Sequence, residues 1–99
     1  MNVQIQSIKF TADKKLIDFI NQKVSKLDRF FDNFLGAEVI LRVEKTQELE
    51  NKFAEIRLAV PGSDLIVHRK CKTFEEAIDD CIDVLKIQIK KHKDKLRGD

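Results

Sequence analysis

Ninety-nine residues, 42% apolar and 36% charged, suit one soluble domain with a modest core and leave no room for a two-domain enzyme. Nineteen Lys and Arg against 17 Asp and Glu give a net charge of only +2, so any attraction to a polyanion must come from local arrangement. No run approaches the roughly 18 apolar residues of a membrane span, and Met1 opens directly on a strand-like pattern, so no membrane is expected as a partner and the cytoplasm is the expected compartment.

Val3 and Ile5 alternate with Gln4 and Gln6, with Ser7 continuing the series, which predicts a short half-buried strand. Thr11 is the expected N-cap of a helix that has Asp13 in its first turn. Leu16, Ile20, Val24, Leu27 and Phe31 then recur at helical spacing as one apolar face, and the helix is expected to end near Phe31 or Phe34, before Gly36. Val39, Leu41 and Val43 alternate with Glu38, Ile40, Arg42 and Glu44 in a second strand. After a polar loop, Ala54, Ile56, Leu58 and Val60 alternate with Phe53, Glu55, Arg57 and Ala59 in a third. Pro61-Gly62 is the strongest turn signal and predicts a tight hairpin. In the strand that follows, Leu65, Val67, Arg69 and Cys71 share a face, so Arg69 is expected near the end or edge of the sheet, snorkelling outward. Thr73, with Glu76 three residues on, predicts a capping box for a second helix with the apolar stripe Phe74, Ile78, Cys81, Leu85, Ile89 and Leu96.

The order β-α-β-β-β-α predicts an α+β fold. The first strand should pair parallel with a neighbour through its helical crossover, the other three should form an antiparallel meander, and both helices should cover one face of this four-stranded mixed sheet. Residues 1–97 read as a single domain, with 98–99 expected to fray.

Motifs for catalysis are missing. Gly36, Gly62 and Gly98 stand alone, so no phosphate loop exists, and there is no nucleophile elbow, HExxH or CxxC. Glu38, Glu44 and Glu55 occupy strand-exterior positions, where cross-strand pairing with Arg42 and Arg57 accounts for them. Cys71, Cys81, His68 and His92 lack the paired spacing of a zinc site, and Cys81 reads as a small buried hydrophobe. No catalytic residue, metal, cofactor or small-molecule substrate is expected.

The second helix is sorted by charge. Glu75, Glu76, Asp79, Asp80 and Asp83 precede Lys86, Lys90, Lys91, Lys93, Lys95 and Arg97, with only Asp94 among the bases. The helix macrodipole accounts for cations in the last turn, but this basic run spans about three turns. At about 100° per residue, Lys86, Lys90, Lys93 and Arg97 fall on one flank of the apolar stripe, and Lys91 and Lys95 on the other. Like charges four residues apart destabilise a helix by a few tenths of a kcal/mol, so the row points to an anionic partner. The first helix adds Lys15, Lys23, Lys26 and Arg29, interrupted by Asp18, Asp28 and Asp32. Two such helices side by side could grip phosphates across a groove. His68-Arg69-Lys70 forms a third basic patch. The seven phenylalanines, with no Tyr or Trp, raise base stacking as a minority reading, but Phe19, Phe30 and Phe34 flank the first helix and are expected to close the rim of the core.

Together these residues resemble the ribosome hibernation promoting factor and ribosome-associated inhibitor family in its short form. Lys23 to Asp32 is similar to its K-x-x-K-L-x-x-Y/F-F-D string, Val43-Glu44-Lys45 to its V-E-K, and Val60-Pro61-Gly62 to its V-x-G turn. Ala77-Ile78-Asp79, Ile82-Asp83 and Gln88 through Leu96 resemble its second-helix signature. The resemblance implies a fold like that of double-stranded-RNA-binding domains and binding to the small ribosomal subunit through its 16S rRNA. It further implies occlusion of the channel for messenger and transfer RNA, inhibition of translation in slow growth or stationary phase, and a tendency to favour ribosome dimers. Lys23, Lys26, Lys91, Lys93 and Lys95 match basic positions of the family. Ile17, Val84 and Ile87 stand where it often has bases, whereas Lys86, Lys90 and the His68-Arg69-Lys70 cluster are this chain's additions.

The expected RNA-binding residues are therefore Lys23, Lys26, Arg29, Lys86, Lys90, Lys91, Lys93 and Lys95, on a protein that is monomeric off the ribosome. A rival reading is a homodimeric interaction module, paired through a strand edge or through the apolar Val84 and Ile87.

Overall fold

In the computed structural model the two periodicities resolve into β1 (Val3–Ile8), α1 (Lys14–Ser25), a 3₁₀ turn (Lys26–Arg29), β2 (Gly36–Val43), β3 (Lys52–Val60), β4 (Ser63–Cys71) and α2 (Phe74–Leu96). Residues 1–96 are described; the fraying expected at 98–99, and the place of Arg97 on the basic flank, lie outside the described residues. The sheet order is β1-β2-β3-β4, with β1 parallel to β2 and the remaining pairs antiparallel. Parallel neighbours need a long crossover, here α1, whereas antiparallel ones can be joined by two residues. Val60 pairs with Ser63 across Pro61-Gly62, and Gly62 takes φ +82, the left-handed value that a proline-led type II turn places on its third residue.

Both helices cover one face of the sheet. Ala37, Val39, Leu41, Ala54, Ile56, Leu58, Val60, Val67 and Cys71 point into the core from the strands. They meet Leu16, Ile20, Val24, Leu27 and Phe31 from the α1 segment, all five buried as the spacing predicts. From α2 come Phe74, Ile78, Cys81, Leu85 and Ile89, joined by Ala77 and Ile82. The predicted stripe fails at two ends. Val43 is exposed at the tip of β2, and Leu96 is 58% exposed because no residue of α2 beyond Ile89 is buried, so the helix overhangs the core.

Three local expectations are corrected. The N-cap of α1 is Asp13, not Thr11: Asp13 is extended and its carboxylate accepts from the Leu16 amide at 2.9 Å, while Ala12 turns into the core. A carboxylate there satisfies an orphan amide and also suits the positive end of the helix. Secondly, α1 stops at Ser25 and tightens into the 3₁₀ turn instead of running helical to Phe31. Thirdly, the strand ion pairs run along the strands. Glu38 faces Arg57 in register, but the pairs formed are Arg42–Glu44 at 3.1 Å and Arg57–Glu55 at 3.9 Å. Residues two apart share a strand face, so these contacts need no reach across the sheet.

At the start of α2 the Glu76 amide donates to Thr73 Oγ1 at 3.1 Å, the threonine arm of the predicted box. Arg69 lies exposed on edge strand β4, where its guanidinium donates to the His68 carbonyl at 2.8 Å. The Cys81 thiol is buried 3.7 Å from the Ala54 carbonyl. Burial pushes that thiol up to about 12, the nearby Arg69 charge partly offsetting it. The Cys71 thiol is pushed up to about 11, first by burial and then by its hydrogen bond to the Asp80 carboxylate at 3.5 Å. Among the described residues no three His, Cys, Asp or Glu gather where they could hold a metal ion, and no helix is long and apolar enough to cross a membrane.

Candidate nucleic-acid interface

The two helices pack against each other, and their exposed edges frame a groove. Lys23 Nζ bridges it to Asp79 Oδ1 of α2 at 3.4 Å. Three adjoining depressions follow along it, and Phe30 lines all of them. Lys23, Lys26 and Arg29 face Lys86 in the first, beside Asp79 and Asp83. Lys86, Lys90 and Lys93 surround Phe30 and Ile89 in the second, with Asp94 at its margin. Arg29 and Lys93 flank Phe31 in the third, beside Asp32.

Six of the eight predicted residues, Lys23, Lys26, Arg29, Lys86, Lys90 and Lys93, are thus brought to one surface. Lys91 and Lys95 are exposed but line none of the three depressions, since 140° and 180° of helix rotation separate them from Lys86 at about 100° per residue. The division into two flanks therefore becomes a division between groove and outer face. Position also changes the meaning of acids that interrupt the basic edge of α1 and its 3₁₀ turn. Asp28 is held by the Met1 ammonium at 2.7 Å, and Asp18 lies 3.6 Å from Lys14. Among the described residues, only Lys23 of the six groove cations has an ion-pair partner.

The third basic patch does not join this surface. His68 and Lys70 lie on the sheet face away from the helices, where His68 stacks on Phe53 at 5.6 Å and Arg42 sits 3.9 Å over the same ring. Lys70 is 3.8 Å from Glu48. Of the positions where the resemblance leads one to expect bases, Ile17 and Val84 pack half-buried against the core, and Ile87 is 58% exposed.

Of the three expected rim residues, Phe30 departs from its expected place. Phe19 and Phe34 do pack against the core as rim residues, but Phe30 is 42% exposed, with Lys86 Nζ 5.9 Å above its ring. A signal was present: Phe30 stands one residue, about 100°, off the apolar face that ends on Phe31. Its neighbour Phe31 takes the buried place, packed edge-on against Phe34 at 5.1 Å and His92 at 5.5 Å. Among the described residues the shielded Nε2 of His92 has no hydrogen-bond partner.

This architecture and this chain have recorded counterparts. The chain is 33% identical over 97 residues to a ribosome hibernation promoting factor of Klebsiella oxytoca, covering 98% of this chain and 96% of that one. The crystal structure of the Thermus thermophilus Protein Y N-terminal domain superposes with a TM-score of 0.79 at 27% identity, covering 93% of this chain and 99% of that chain. A ribosomal subunit interface protein of Coxiella burnetii superposes with a TM-score of 0.83 at 17% identity, over 94% and 98% of the two chains, which speaks for the fold alone. The βαβββα arrangement is accordingly the double-stranded-RNA-binding-domain-like fold that the resemblance implies. The model of the Sigma 54 modulation protein / S30EA ribosomal protein family matches residues 3–97, and the chain belongs to that family.

Proposed function

We propose that this protein is a ribosome hibernation factor that binds the small ribosomal subunit through 16S rRNA and inhibits translation in slow growth or stationary phase. The observation that carries the reading is the convergence of Lys23, Lys26 and Arg29 with Lys86, Lys90 and Lys93 on one groove. Cations held on two packed helices meet phosphates at fixed spacing, and the counterions they release from RNA supply the affinity. The bound domain would occlude the channel for messenger and transfer RNA, so binding alone suffices and no bond is made or broken. Lys91 and Lys95, on the outer face, serve as secondary contacts, and the same occupancy favours inactive ribosome dimers. The protein acts in the cytoplasm, where its target is.

Co-sedimentation with purified small subunits tests this. If six phosphates are neutralised, log affinity should fall with log salt at a slope of about −4 to −5. The triple variant Lys86→Glu, Lys90→Glu, Lys93→Glu should bind at least tenfold more weakly, with a slope shallower by about three. A wild-type protein that stays at the top of the gradient at low salt would sink the reading. The homodimer alternative named a strand edge or the apolar Val84 and Ile87; Val84 packs against the core and leaves Ile87 exposed, while β1 and β4 are the edges of the sheet. A monomer stays the proposed state off the ribosome. A salt-insensitive dimer on sizing chromatography, without RNA affinity, would reverse that order.

A further inference from the structure

We propose that Phe30 is a stacking platform for an unpaired ribonucleotide, whose base lies on the ring while its neighbouring phosphates meet the groove cations. This inference rests on the RNA-binding reading above and deepens it, by assigning the same groove a ligand class: single-stranded, looped or extruded RNA rather than a continuous duplex.

Four observations converge. Phe30 is 42% exposed although Phe19, Phe31 and Phe34 all pack against or within the core. An exposed apolar residue is ordinary in isolation. Phe30, however, is the one side chain common to all three depressions, with Lys86, Lys90 and Lys93 on one side and Lys26 and Arg29 on the other. Its backbone is held, since its amide donates to the Leu27 carbonyl at 3.0 Å and the next residue is buried. The ring therefore stands on a fixed base, and Lys86 already occupies a cation–π position 5.9 Å from it.

The chemistry of the ligand follows. Phosphates account for the cations but give no use to an exposed ring. In a duplex both faces of each base are already stacked, so an aromatic side chain engages bases that are looped, splayed or terminal. Ribose-phosphate alone would leave Phe30 in water, and an apolar protein segment would leave the cations unanswered. An unpaired nucleotide satisfies both, with the base on the ring and an anion within reach on either side.

The test uses the full chain and two 12-nucleotide RNA probes, a labelled oligouridylate and the same ribose-phosphate chain without bases. Removing the bases should weaken wild-type binding roughly five- to 150-fold, the range that stacking of one base supports. Phe30→Leu should lose a similar factor on oligouridylate and nothing more on the abasic chain, with an unchanged salt slope because no phosphate contact is lost. Phe30→Tyr should bind like the wild type, and a urea melt of each variant separates lost stacking from lost folding. Equal wild-type affinity for the two probes, no wild-type binding to either, or a Phe30→Leu protein that still distinguishes them would overturn the proposal. Small-subunit co-sedimentation run in parallel keeps the two readings apart. Wild-type protein that sediments with subunits yet ignores the bases refutes only the stacking, whereas protein that does not sediment refutes the function itself.

Discussion

Side chains of one type part company once buried, and the phenylalanines and cysteines show it. Phe31 and Phe30 are consecutive, yet one fills the core beside His92 and the other opens the groove. Cys71 and Cys81 are both buried, and both thiols titrate above their ordinary value of 9.0. The folded state thus keeps the proton that the unfolded chain gives up. Their contribution to stability is fully present below pH 9 and is lost as pH rises through about 11 for Cys71 and about 12 for Cys81. Urea melts between pH 8 and 12 should show stability falling across that window. A Cys71→Ala, Cys81→Ala double variant should fall less steeply, and an equal decline would take the thiols out of the effect. At neutral pH neither thiol supplies the thiolate needed for fast chemistry.

Helix ends depend on which groups the chain can bring to the orphan amides. Asp13 does so for α1 because Ala12 is drawn into the core and leaves Asp13 extended at the helix entrance. Asp13→Ala should therefore cost about 1 kcal/mol in urea denaturation, while Thr11→Ala should stay within about 0.5 kcal/mol. Equal losses would return the cap to Thr11. At the other end, the 3₁₀ turn keeps Leu27 buried with tighter geometry than an α-turn. In α2, Glu75 and Glu76 open the helix and Lys93 and Lys95 close it, in the sense the macrodipole favours. Lys86 and Lys90 lie too far from that terminus to be explained so, and both line the groove.

For the whole molecule, the main consequence of the fold is that it gives the two flanks of α2 different surroundings. Lys86 shares a depression with Lys26 and Arg29, and Lys90 shares the next one with Phe30 and Lys93, whereas Lys91 and Lys95 line neither. Lys86→Gln with Lys90→Gln should make the salt slope of small-subunit binding shallower by about two, and Lys91→Gln with Lys95→Gln by less than about one. The reverse ranking would place the outer face against RNA. Strands, helices, the antiparallel meander, the hairpin at Pro61-Gly62 and the sorted charge of α2 are all legible in the residues, because alternation, apolar spacing and turn chemistry act over a few positions. The choice of flank was not legible, nor were the holding of Asp28 by the Met1 ammonium, the bridge from Lys23 to Asp79 and the exposure of Phe30. Each depends on how segments far apart in sequence pack, a relation that no local pattern records. The sequence by itself determined that one helix would carry a basic row; only the packing of α1 against α2 decided which side of that row became a groove, because a helix face acquires its neighbours through long-range contact.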